Sequence, residues 1–147
     1  MRNVRLFRLA GVPVTVSVWF FVLLGFMAAT AGTVASGLAW IIAVCLSLLV
    51  HEFGHALVAK YYGLRPSIVL HGWGGLCNHA PARTAGQDIF ITAAGPGAGL
   101  LFGALIYILG GTAPFGPLPS MTDFILYYLY WISIVWSLAN LIPLWPL

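Results

Sequence analysis

The sequence predicts an all-α membrane protein of about four transmembrane helices, with a short β-rich interfacial segment between the second and third. Three observations carry that expectation. The 147 residues are 61% hydrophobic and only 6% charged, with a mean hydropathy of +1.00. Globular domains run about 25% charged, so this chain lacks the side chains to cover itself in water. The apolar residues gather into runs near the roughly 20 residues that cross a bilayer as a helix. The six basic residues all fall on one side of the membrane when those runs alternate across it. A soluble enzyme, a disordered tail and a nucleic-acid module are excluded by the same arithmetic, and the lipid bilayer is the implied surrounding.

The first expected span runs from about Val12 to Ala31. Arg2, Arg5 and Arg8 precede it and Ala29-Thr30-Ala31 closes it, which invites comparison with a cleaved signal peptide. The apolar stretch exceeds the 7 to 15 residues of such a core, so an uncleaved span is expected. After the break around Gly32 to Gly37, the second span covers about Leu38 to Tyr61. The third runs from about Asp88 to Leu109 and the fourth from about Thr122 to Ile142, separated by the Gly- and Pro-rich stretch from Gly110 to Pro119. With the N-terminus inside, Arg2, Arg5, Arg8, Lys60, Arg65 and Arg83 are all cytoplasmic, and both termini are expected there.

Residues 63 to 87 do not read as a helix. Pro66 to Cys77 begins β-branched and turns glycine-rich through Gly72-Trp73-Gly74-Gly75, which predicts one or two short strands. A free strand edge there would accept an extended peptide. Cys45 and Cys77 lack the paired spacing of a zinc ribbon and are too few for a disulfide framework, so both are expected as structural thiols.

Near the end of the second span the chain reads His51-Glu52-Phe53-Gly54-His55, the H-E-x-x-H pattern. Spacing of i and i+4 sets both imidazoles on one helix face, where they can bind one zinc ion, with Glu52 adjacent. Zinc lowers the pKa of bound water toward about 7, and a neighbouring carboxylate can take the proton as the peptide carbonyl is attacked. Glu52 is the only glutamate in the protein, and ionisable groups inside a span are functional candidates by default. The soluble layouts of this motif do not fit. No glutamate follows Glu52, and the extended three-histidine form would need Gly and His where the chain has Val58 and Tyr61. His71, Cys77, His79, Asp88 and Asp123 remain as donors, none convincing by spacing.

Together these residues resemble the site-2 protease family of intramembrane zinc metalloproteases, over nearly the whole chain. The resemblance rests on His51 to His55 in the second span, the Gly72–Gly75 strand region, Ala93-Ala94-Gly95-Pro96-Gly97 in the third span, and Asn140-Leu141-Ile142-Pro143-Leu144-Trp145-Pro146-Leu147. It implies Zn2+ as cofactor, His51 and His55 as ligands, Glu52 as general base and a membrane-anchored protein as substrate. It implies that Asn140 faces the cleft and holds the substrate backbone or the oxyanion. In the family the final run continues into Asp-Gly, whose aspartate is the third ligand. The expectation is therefore a single polytopic protease core over residues 1 to 147, truncated just before that ligand. The rival readings are an inactive relative that binds client helices and a metal transporter. Substrate identity and oligomeric state are left open by the sequence.

Two further features have physical readings. Gly95, Gly99 and Gly103 recur on one face of the third span, which lets a neighbouring helix approach closely. Pro96 removes one backbone hydrogen bond in the same span.

Overall fold

The computed structural model describes residues 3–110 and 120–142. In chain order the elements are β1 (Asn3–Leu9), β2 (Val12–Ser17), α1 (Val18–Ala29), α2 (Val34–Tyr61), β3 (Ser67–His71), β4 (Gly74–Asn78), α3 (Ala85–Gly110) and α4 (Met121–Leu141). The helices α2, α3 and α4 are each long and apolar enough to cross a bilayer.

The N-terminal run departs from the expected single span. In Val12-Pro13-Val14-Thr15-Val16-Ser17, valine alternates with less apolar residues, a period of two that suits a strand with one buried face. Val12, Val14 and Val16 all point into the core. Ser17 then caps α1, its hydroxyl accepting from the Trp19 amide at 3.3 Å. The 12 residues of α1 extend only about 18 Å, against roughly 30 Å for the bilayer core. Hydropathy sums over the run and is blind to this change of period.

Strand β1 pairs antiparallel with β2 through the two-residue turn Ala10-Gly11, with φ of 49° and 78°. Two positive φ values are the signature of the turn whose twist matches a hairpin. Strand β2 pairs parallel with β3, Val14 opposite Ile68, after the chain has crossed through α1 and α2. That ladder begins just past Pro13, which has no N–H to give. The hairpin β3–β4 closes around Gly72-Trp73. It supplies the strands expected between Pro66 and Cys77 and completes a sheet of order β1-β2-β3-β4.

One face of this sheet builds the principal core. Val12, Val14, Val16, Ile68 and Leu70 pack with Phe20 and Leu24 of α1 and Leu48 and Ala56 of α2. Large apolar side chains such as Leu101, Ile108 and Leu109 stay outward on α3. That distribution is what a helix facing lipid shows.

The ends of α2 are chemically specified. Thr33 and Ser36 form a reciprocal capping box at its start. At its end the Gly63 amide bonds the Lys60 carbonyl at 2.9 Å and the Leu64 amide bonds the Ala59 carbonyl at 3.0 Å, with Gly63 at φ 76°. This left-handed stop is sealed by the buried Leu64 packing with Ala59 and Ile91. Asp123 closes the capping box of α4 with Ser120, at the opposite end of that helix from Asn140. Of the expected linker from Gly110 to Pro119, Gly110 ends α3 and residues 111–119 lie outside the described residues, as do residues 143–147.

Candidate metal centre

His51, Glu52 and His55 lie in the last three turns of α2, where α3 and strand β4 pack against it. His51 is 1% exposed and Glu52 4%. The imidazoles of His51 and His55 stand at 75° to each other, and their Nε2 atoms are 3.3 Å apart. Two nitrogens on a tetrahedral ion, each about 2.0–2.1 Å from it, would be about 3.3–3.4 Å apart. The pair therefore fits two positions of a tetrahedral zinc site.

The outer nitrogen of His55 is held as such a ligand requires. Its Nδ1 lies 2.7 Å from the Ile91 carbonyl, which can only accept, so Nδ1 carries the hydrogen and Nε2 presents its lone pair. Ile91 precedes Thr92, whose carbonyl loses its helical partner to Pro96. The proline thus loosens α3 beside the carbonyl that orients His55.

Glycines bring the backbone onto the motif. A Cβ built on Gly95 would meet His55 Nε2 at 2.0 Å, and one on Gly75 would meet Glu52 Cγ at 2.4 Å and Oε1 at 2.5 Å. Gly54, inside the motif, lets α3 approach so closely that its Cβ would lie 2.4 Å from the Ala94 carbonyl oxygen. The glycine face expected for close packing is therefore also the wall of the centre. Sequence reasoning placed Gly75 at a substrate edge and missed its contact with Glu52. The signal was available only in part, as glycine at a strand position marks a close approach without saying to what.

Other expected residues fall around or away from the centre. Gly72, Trp73, Gly74 and Gly75 form the tip and return of the β3–β4 hairpin, with Trp73 91% exposed and Gly74 pressed against the Trp136 ring. Two apolar grooves, of about 690 and 440 Å³, run along α1 to this tip. Neither is lined by His51, Glu52 or His55. Asn140 is exposed on α4, and its amide donates to the Trp136 carbonyl of the preceding turn at 2.7 Å. His71 accepts from the Trp73 amide and His79 donates to the Ala80 carbonyl, both local bonds. Asp88 is exposed at the start of α3. No cluster of three metal-ligating side chains occurs among the described residues. Cys45 and Cys77 are free thiols. Burial, reinforced by the charge of Glu52, pushes the Cys77 thiol up to about 12.

The family model for peptidase family M50 matches residues 39–123, which include the whole motif. A curated relative from Synechocystis sp., named "Putative zinc metalloprotease sll0528", is 31% identical over 160 residues. That match covers 99% of this chain and 41% of the relative, so the chain spans less than half the relative's length. Among solved structures, the site-2 protease from Methanocaldococcus jannaschii superposes with a TM-score of 0.75 at 25% identity, over 99% of this chain and 67% of that one. With three apolar helices of spanning length, a buried H-E-x-x-H motif and these matches, the chain is a membrane protein that belongs to peptidase family M50, the site-2 protease family.

Proposed function

We propose that this protein is a zinc-dependent endopeptidase that cuts membrane-anchored proteins within or near a transmembrane helix. The observation that carries the reading is the convergence of His51 and His55 Nε2 at 3.3 Å, with His55 fixed from behind by the Ile91 carbonyl. These two histidines would hold the metal, and in the family that the chain resembles the third donor is the aspartate that continues the Asn140 run. When bound, zinc supplies Lewis acidity to a peptide carbonyl and to water beside it.

Glu52 is the general base. It is adjacent to the ligand pair, and Gly75 of β4 backs its carboxylate. In this role it takes a proton from the attacking water and returns it to the leaving amine. Strand β4 ends the sheet order, and an extended substrate segment added to its edge would lie beside Glu52. The substrate must be extended because a helical segment has its carbonyls bonded internally. The apolar grooves running to the hairpin tip suit a substrate drawn from lipid. Asn140 would turn from the Trp136 carbonyl to a substrate carbonyl in this scheme.

The test uses the full reading frame, purified in detergent and co-expressed with a single-span reporter. Stoichiometric zinc in the wild type, retained by Glu52→Gln while reporter cleavage disappears, is the expected outcome. Wild-type protein without zinc would favour an inactive client-binding relative, and cleavage by Glu52→Gln would remove Glu52 from the role of base.

A further inference from the structure

The packing of α2, α3 and α4 is organised in tiers four residues, about 6 Å, apart. In the first tier the Ser133 hydroxyl of α4 donates to the Ser47 hydroxyl of α2 at 2.9 Å, and Gly103 of α3 faces Ser133 and Ile134. In the third tier His55 of α2 rests on Gly95 of α3. The tier between contains His51, one turn from each of Ser47 and His55, and Gly99, one turn from Gly95 and Gly103. Across Gly99 lies Ser137 of α4, whose Oγ is 2.1 Å from where a Gly99 Cβ would stand.

Two polar atoms of this middle tier are buried without a hydrogen-bond partner: His51 Nδ1 and Ser137 Oγ. Ser137 is 0% exposed and His51 1%. Buried polar atoms in a native fold are bonded to protein or ordered water, and each one left over calls for an account. Four residues on from the bonded pair Ser47 and Ser133, helix register sets the two at one level of the α2–α4 junction.

Proton placement says what joins them. Because His55 carries its hydrogen on Nδ1, its Nε2 accepts, and His51 Nε2–H can donate to it across 3.3 Å. To ligate a metal, His51 must instead present Nε2 as a lone pair and move its hydrogen to Nδ1, which then needs an acceptor. A hydroxyl is both donor and acceptor, so it can complete a water bridge to Nδ1 in either tautomer. We propose that Ser137 is the positioning residue of His51: the Nδ1 hydrogen of the metal-ligating tautomer is donated to one buried water, which donates in turn to the Ser137 hydroxyl.

This inference rests on the zinc reading above and deepens it, and its test separates the two. Zinc affinity is measured by chelator competition on full-length protein in detergent, for the wild type, Ser137→Ala and Ser133→Ala. The 15N signal of the His51 Nδ1–H is followed in histidine-labelled, zinc-loaded samples. Ser137→Ala is expected to weaken zinc binding by about 10- to 100-fold, the range found when a ligand's outer partner is lost, and to speed exchange of the Nδ1 hydrogen with solvent. Ser133→Ala breaks the bond one tier away and is expected to keep zinc affinity within about twofold. Wild-type affinity in Ser137→Ala, or an equal loss in Ser133→Ala, overturns the assignment while leaving the zinc site standing. A wild type that takes up no zinc overturns both.

Discussion

Gly95 is packed against His55 so closely that a single added methyl carbon would stand 2.0 Å from the imidazole Nε2. That nitrogen is the one aimed at His51. The absence of a side chain on α3 therefore sets the position of a ligand on α2.

Gly95→Ala is accordingly expected to push His55 off its line with His51 and to weaken zinc retention at least tenfold, read by chelator competition. A ligand that loses the support holding its orientation costs metal affinity on the order of 10- to 100-fold. Gly97→Ala, two residues along, meets nothing within 4 Å and is the matched control, with wild-type zinc content expected.

Gly75→Ala acts on the other half of the centre. Its Cβ would lie 2.4–2.6 Å from Glu52 Cγ, Oε1 and Cδ, so the carboxylate must move while both histidines stay in place. Expected is full zinc content with reporter cleavage reduced about 100-fold. Loss of zinc together with cleavage would show that β4 supports the whole centre.

Cys77 offers a pH prediction. Its pKa is raised from 9.0 in the open chain to about 12, by burial first and by the Glu52 charge second. Folded protein at pH 8 should therefore react slowly with iodoacetamide, and protein unfolded in denaturant quickly, measured in a Cys45→Ala background. The sign for stability follows. The neutral thiol favours the fold fully below pH 9, and that contribution is lost as pH rises from about 9 toward 12. Fast labelling of the folded protein at pH 8 would contradict this.

Ile68 tests the sheet core. It is fully buried, opposite Val14 on β2 and Cys77 on β4. Ile68→Ala should cost about 2–5 kcal/mol and lower the thermal unfolding midpoint in detergent. Leu101→Ala, at an outward position on α3, should leave it nearly unchanged.

How much of this was legible beforehand differs by element. Helices α2, α3 and α4 were readable because a spanning helix is set by length and hydropathy alone, both local properties. The β3–β4 hairpin was readable from β-branched residues giving way to glycine. The first span was misread, because Val12 to Ala31 is uniformly apolar while its period changes at Ser17. The sheet was also larger than expected, since the pairing of Val14 with Ile68 joins residues 54 positions apart and leaves no local trace.

The same division holds at the centre. By itself the sequence determined that His51, Glu52 and His55 share a turn of a buried helix, because i, i+4 spacing is a property of the α-helix. It determined as well that α3 has a bare glycine face, since that too follows from periodicity within one element. Only the tertiary structure decided that Gly95 meets His55, that Gly75 backs Glu52, that the Ile91 carbonyl orients an imidazole and that Ser137 packs on Gly99. Each of these joins two elements, and the register between packed helices is fixed by how their surfaces interlock, which no single segment specifies.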